Sequence, residues 1–171
     1  MATTVESLIT RLRGIVGDED SSNQRYTDAN LRDVKFQLAI EHLDAIGWPK
    51  VYKITGSGSA KEFDPDPATQ TLVDLNAIVI ATALVIAEGE AHKHANAAIV
   101  ISNPAGRTDL SSVARTVADR AQYLSDQLEA LRNQRARALA ETEMTVREIP
   151  GSADTESPEG LPIITITREH P

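Results

Sequence analysis

The chain has 171 residues, of which 41% are hydrophobic and only 4% aromatic, and it carries a formal net charge of −8 without a single cysteine. This length suits one domain with a tail, and the core must consist of aliphatic side chains, as in packed helices. The absence of cysteine excludes disulfides and cysteine-based metal sites, and the negative charge argues against a protein that wraps DNA by neutralising phosphates.

Neither a signal peptide nor a membrane span is expected. The first 14 residues contain Arg11 and Arg13 and no long apolar core. The uninterrupted apolar run from Ala77 to Ala87 is too short to cross a bilayer. We therefore expect this run to be a buried helix of a soluble protein.

Two helices are predicted in the first third of the chain, separated by a polar surface loop over 18–25. The first begins after Thr3 or Thr4 and ends at Gly17, and the second begins after Thr27 and runs to about Ile46. The apolar residues of the second helix lie on two sides, which predicts that it packs between two layers or between subunits. One side has Leu31, Val34, Leu38 and Ala45, and the other has Phe36, Ala39, Ile40 and Leu43.

A β-hairpin insert is predicted over 51–63, because two short apolar segments flank a Gly-Ser-Gly-Ser turn at 56–59. The Asp-Pro-Asp-Pro segment 64–67 then breaks the chain. A third helix is predicted from about Ala68 to beyond Ala91. Its residues 72–87 are apolar nearly all round, which makes it the most buried element expected.

The fourth helix, expected to begin after Thr108 or Asp109 and to run to about Glu141, has the clearest pattern. Its apolar residues alternate spacings of four and three over three heptads, at Leu110, Ala114, Val117, Ala121, Leu124, Leu128 and Leu131. This heptad seam is either a coiled-coil contact between chains or the face that packs on the third helix. The alanines favour the second interpretation, with the third and fourth helices as an antiparallel hairpin.

The C-terminal part, 142–171, is predicted to be an acidic, extended tail, with six acids against two bases, following a helical domain over 1–141. Residues 151–160 are rich in Ser, Pro and Glu and are expected to be disordered alone. The tail then contains a strand sequence without a nearby partner, Ile163, Ile164, Thr165, Ile166 and Thr167. Such a strand is suited to joining a sheet edge, on another chain or on the 51–63 hairpin of its own chain.

No catalytic, cofactor or metal site is expected. His92 and His94 lie about 200° apart on a helix and cannot share an ion. The segment from Gly56 to Lys61 lacks the Gly-Lys-Ser/Thr spacing of a phosphate-binding loop, so a hairpin turn is expected there. The serines lack a nucleophile-elbow motif.

Three early segments, 8–13, 16–18 and 25–31, resemble the start of bacteriophage head–tail connector (adaptor, or head completion) proteins. They read Leu-Ile-Thr-Arg-Leu-Arg, Val-Gly-Asp and Arg-Tyr-Thr-Asp-Ala-Asn-Leu. Members of that family begin with a short arginine-bearing helix, an aspartate-containing loop and a Tyr-Ser/Thr-Asp-x-x-Leu helix start. Segment 103–110 before a long helix also suits the family. The resemblance covers about residues 5–141 and does not include the Gly-Ser hairpin or the tail.

This resemblance implies a structural virion protein, found in the host cytoplasm during assembly and then in the neck between capsid and tail. The family fold would be a mainly α, four-helix bundle that assembles into a homo-oligomeric ring, usually dodecameric. The ring would bind portal protein and tail or neck proteins and extend the channel through which DNA passes without sequence-specific binding. Residues 163–167 would then contact the portal or a neighbouring subunit.

Two other classes stay open. A small terminase-like packaging subunit also forms rings of helical hairpins, but it needs a basic DNA-binding face, which the sequence does not display. A cytoplasmic helical binding module or chaperone is the other alternative.

Overall fold

The computed structural model describes residues 3–100 and 110–147, with side chains within 3–96 and 113–142. The described chain is mainly helical with one small antiparallel sheet, which confirms the predicted class and the hairpin insert. Residues 103–109 of the segment 103–110, the segment 151–160 and the predicted strand 163–167 lie outside the described residues. The elements are α1 (Val5–Val16), α2 (Asp28–Asn30), a π-helical segment (Leu31–Lys35), α3 (Phe36–Ala45), β1 (Lys53–Thr55), β2 (Glu62–Asp64), α4 (Pro67–Gln70), α5 (Leu72–Val100) and α6 (Leu110–Arg147).

Local capping explains where α1 begins and ends. The Thr4 side chain accepts a hydrogen bond from the Ser7 N–H at 3.2 Å, as a helix N-cap does. The helix ends at Gly17, whose φ of 71° is the left-handed conformation that glycine adopts at low cost. The buried apolar residues of α1 face the core at helical spacing: Val5, Leu8, Ile9 and Leu12.

The predicted second helix contains a π-turn, and this changes which residues share a face. α2, the π-helical segment and α3 form one continuous helix in which the Phe36 N–H donates to the Leu31 carbonyl, five residues back. In a regular α-helix these two side chains would lie about 140° apart. Here both are fully buried on one face, while Val34 and Leu38 are exposed. The prediction that Leu31 lies on the Val34 side was therefore wrong.

The small sheet consists of β1 and β2, paired antiparallel with Ile54 opposite Phe63. A short 3-10 turn, Gly58–Ala60, lies in the connection between the strands. Gly56 has a φ of 87°, and a Cβ there would lie 2.8 Å from the Ala60 carbonyl oxygen, so this position requires glycine. The outer side of β2 pairs with the N-terminal segment through a bridge between Thr4 and Glu62.

The predicted third helix is divided in two at Thr71. The Thr71 backbone is extended, and its hydroxyl accepts from the Asp74 N–H at 3.1 Å and donates to the Asp74 carboxylate at 2.8 Å. Because Thr71 caps a new helix, α5 begins at Leu72, a residue that is 77% exposed although residues 72–87 were expected to be buried. Most of the residues from Ala77 to Ala87 are buried, as expected for a core helix.

By length and composition alone, the helical segment Leu72–Asn96 could cross a membrane. More than half of its most apolar window is buried inside the protein, however, and the core helix of a soluble protein passes the same test.

α6 runs antiparallel to α5 and packs largely against it. Its Arg135 forms an ion pair with Asp74 near the start of α5, so the later part of α6 lies beside the earlier part of α5. The Arg120 guanidinium donates to the Ile15 carbonyl at the end of α1. These contacts attach α6 to the rest of the domain at two points along its length.

Candidate functional site

The heptad seam of α6 faces the core where its side chains are described. Leu124 and Leu128 are buried, and Ala121 and Leu131 are partly buried against the core cluster. Ala114 and Val117 are half-buried, while the side chain of Leu110 lies outside the described residues. This placement makes the seam a packing face within the chain.

The strand residues predicted to bind another chain, Ile163, Ile164, Thr165, Ile166 and Thr167, also lie outside the described residues. Their binding role remains a prediction.

Five of the residues that carry the family resemblance contact one another in a polar cluster around the buried guanidinium of Arg13. Its guanidinium donates to the Asp18 carboxylate at 2.6 Å, to the Asp28 carboxylate at 2.5 Å and to the Tyr26 carbonyl at 2.8 Å. Asp18 also accepts from the backbone N–H of Arg25 at 2.7 Å. We call these five residues the Arg13 cluster, and it ties the end of α1 to the start of α2.

The Arg13 cluster corrects the prediction that 18–25 is wholly a surface loop. The side chains of Arg13 and Asp18 are only 8% and 4% exposed. A buried guanidinium is tolerated when carboxylates and carbonyls satisfy its donors, and here three oxygen-bearing groups do so. The buried Asp18 carboxylate therefore holds the loop against the end of α1.

The Arg13 cluster also extends to α5 through Glu90. Its carboxylate accepts from the Tyr26 hydroxyl at 3.3 Å and pairs with Arg25 at 3.2 Å. The pKa of Tyr26 is raised above its usual value by burial and by the charge of Glu90. The Lys35 Nζ atom lies 5.6 Å from the centre of the Tyr26 ring, within the range of a cation–π interaction. Residues of α1, α2, the π-helical segment and α5 therefore converge on this one turn.

A second buried polar cluster surrounds Asp74, which is fully buried. Its carboxylate accepts from the Trp48 indole N–H at 2.9 Å and from the Thr71 hydroxyl at 2.8 Å, and it lies 3.3 Å from the Arg135 guanidinium. We call these residues, with Tyr52, the Asp74 cluster. It joins the segment after α3, the start of α5 and the later part of α6. Asp74 was not among the candidate residues identified from the sequence.

Two polar atoms of the Asp74 cluster are buried without a hydrogen-bond partner among the described residues. They are the Tyr52 hydroxyl and the Arg135 Nε. Burial raises the pKa of Tyr52 well above its usual value, and the negative charge of Asp74 adds to this effect. The hydroxyl is therefore a poor proton donor to solvent, and the cluster fits a structural role.

The two remaining segments considered as ligand sites, the glycine-containing segment 56–61 and the histidines of α5, do not form a binding site in the described residues. Lys61, in the glycine-containing hairpin, pairs with Asp33 at 3.1 Å, and the segment forms a turn, as expected. His92 is exposed and His94 is half-buried on α5. Within residues 3–100 and 110–147, no three His, Asp or Glu side chains lie close enough together to hold a metal ion.

Comparisons of the chain with protein-family models, with curated proteins and with solved structures give no match.

Proposed function

We propose that this chain is a structural subunit of a bacteriophage head–tail connector ring, located between portal and tail or neck proteins. In this proposal the helical domain is a four-helix bundle with the hairpin insert 51–63, and the residues after it form an attachment tail. The predicted boundary at 141 was too early, because α6 continues as a helix to Arg147. The subunit has no catalytic role and extends the channel through which DNA passes.

The observation that carries the proposal is the Arg13 cluster. The resemblance to connector proteins rests on three segments that follow one another closely along the chain, and in the structure they form one hydrogen-bonded unit. Arg13, Asp18 and Asp28, one from each segment, are joined by hydrogen bonds of 2.5–2.6 Å. Their mutual contact supports the view that the motif encodes one structural unit, the junction of the first two helices.

The outer surface of α6 supports assembly with other copies. The helix packs on α5 along its seam, which leaves Tyr123 61% exposed. Farther along the same flank lie further exposed residues of α6: Ala130, Asn133, Gln134, Arg137, Ala138 and Glu141. Tyrosine and arginine are enriched in protein–protein interfaces, and Tyr123 and Arg137 are both exposed on this flank.

The tail strand 163–167 is the proposed attachment to portal, by addition to a sheet edge. The test compares the full chain with a chain truncated after Gly160, each mixed with portal rings from the same genome. We expect both to have nearly the same melting temperature, because the helical core is intact, and only the full chain to bind portal. Normal docking of the truncated chain would show that the tail is not the anchor.

The packaging-subunit alternative is tested by DNA binding. Six arginines lie on α6, but Arg135 pairs with Asp74 and Arg120 is bonded to the Ile15 carbonyl, so two of them are engaged within the domain. We expect no measurable binding of duplex DNA at physiological salt, since the chain is acidic and a channel must let DNA slide. Submicromolar binding that weakens steeply with salt would favour the packaging subunit.

A further inference from the structure

The small sheet has an open edge on the outer side of β1. The Phe63 N–H donates to the Thr3 carbonyl at 3.4 Å, so the polar backbone groups of Phe63 point away from β1. Ile54, opposite Phe63, must therefore form a non-hydrogen-bonded pair with it, because paired residues in an antiparallel ladder bond to each other in both directions or in neither. The N–H and C=O of Ile54 consequently point outward, and no group within the described ranges bonds to them.

The two faces of β1 and the residues before it differ in exposure. Tyr52 is buried and Ile54 half-buried, whereas Val51, Lys53 and Thr55 are exposed. Val51 is 55% exposed, a large apolar residue beside an unpaired strand edge. An added strand would therefore place one set of alternate side chains beside Ile54 and the other set beside Val51 and Thr55.

We propose that, in the free subunit, the outer edge of β1 binds the segment 163–167 of the same chain as a third principal strand. Ile164 and Ile166 form one side of that segment, and the β-branched residues Ile163, Thr165 and Thr167 form the other. This alternation matches an edge with one half-buried face and one exposed face. The inference goes beyond the connector function, because it concerns the isolated chain and requires no portal.

The length of chain after α6 allows this pairing within one subunit. Arg135 lies beside Asp74, whose charge also acts on Tyr52, the residue immediately before β1. From Arg135 to the end of α6 is about 18 Å at 1.5 Å per residue. The 15 residues 148–162 can then span about 50 Å when extended, which is ample for a return to β1. A short tether also gives the tail a high effective concentration at its own sheet edge.

Charge supports the same occupant. Lys50 and Lys53 flank the open edge, and the tail carries Glu156, Glu159 and Glu169 on either side of its strand. Exposed pairs of this kind contribute little affinity, but they favour an acidic segment over a basic one. For a connector subunit, attachment to portal would then require the strand to leave its own sheet edge.

The test is hydrogen exchange of the Ile54 amide, measured by NMR on the full chain. Ile164→Pro and Thr165→Pro are made separately, because adjacent strand N–H groups point to opposite edges and one of the two must face β1. We expect at least one of them to speed exchange of the Ile54 amide about tenfold or more, because loss of the tail N–H that donates to the Ile54 carbonyl weakens the strand pairing that protects the Ile54 N–H. Ser152→Pro, in the same tail, is the matched control and should change nothing.

The Phe63 amide, which is bonded to Thr3, is the internal reference for folding and should exchange equally in all variants. Protection of Ile54 that is independent of protein concentration supports pairing within one chain. Protection that increases with concentration would overturn this assignment in favour of a second copy. Equal exchange of Ile54 in the full chain and in both strand variants would overturn the proposal entirely.

Discussion

Replacing Asp74 by asparagine tests whether the Asp74 cluster stabilises the fold. The substitution keeps the side-chain volume and one acceptor for the Trp48 indole, but it removes the negative charge that faces Arg135. The Arg135 side chain is only 12% exposed, so its charge would be left without a counter-ion in a mostly dry environment. Removing one partner of a buried ion pair costs about 3–5 kcal/mol. The 3.3 Å separation and the remaining exposure of Arg135 place the expected loss near the lower end, about 3 kcal/mol.

Urea unfolding measures this loss with a local and a global signal. Trp48 is the only tryptophan of the chain and donates to Asp74, so its fluorescence reports on the cluster, while far-UV circular dichroism reports on the helices. The double variant Asp74→Asn, Arg135→Met should lose less than the sum of the two single variants, by about 1–3 kcal/mol, because it removes both charges.

Asp44→Asn, an exposed carboxylate on α3, is the matched control and should stay within about 0.5 kcal/mol of the unmodified chain. If Asp74→Asn were equally harmless, the Arg135 charge would be solvated in solution and the reasoning above would be refuted.

Three further predictions concern single side chains. Tyr52→Phe removes an unpartnered hydroxyl, so urea unfolding should give the same free energy of unfolding or one about 1 kcal/mol higher, and a clearly less stable variant would mean that the hydroxyl is bonded in solution. Because the folded pKa of Tyr52 is raised, the native chain should lose stability above about pH 10, and the variant should lose less stability there. Leu124→Asp should unfold the domain by burying an unpaired charge, while Leu139→Asp, exposed on the same helix, should barely change the melting temperature; equal effects would contradict the seam. Hydrogen bonding to Lys61 lowers the pKa of Asp33, so the stability it contributes is present above the usual aspartate pKa and is lost as pH falls through the lower folded value. Asp33→Asn should therefore flatten the pH dependence of the free energy of unfolding between about pH 5 and about pH 2, and an unchanged slope would contradict this.

Short-range signals in the sequence predict the helices well. Thr4 and Thr27 cap their helices through their own side chains, and Gly17 ends α1 in the left-handed conformation. These features depend on three or four neighbouring residues, so a single sequence contains all the information they need. The Gly56 turn is predictable for the same reason.

The π-turn at Leu31–Lys35 has no comparable signal. No glycine or proline marks it, and its benefit comes from placing Leu31 and Phe36 together in the core. That benefit depends on α1 and α5, which supply the surface to be covered. A regular 3.6-residue period applied to the sequence therefore assigns Leu31 to the wrong side.

The polar clusters are predictable only in part. An aspartate inside an apolar run, such as Asp74, signals a buried partner, because an unpaired charge is too costly in a core. The identity of that partner, Arg135, depends on the antiparallel path of α6, and the two residues lie 61 positions apart. The Arg13–Asp18 pair is local, but polarity alone placed Asp18 on the surface.

The most direct test of the connector proposal is native mass spectrometry of the full chain, alone and mixed with portal rings from the same genome. The proposal predicts a complex in which a ring of this chain, most simply twelve copies, is bound to one portal ring. Negative-stain images of the same mixture should show added density on the portal axis. A chain that remains monomeric in the presence of portal, with unoccupied portal rings beside it, would contradict the proposal and favour a helical binding module.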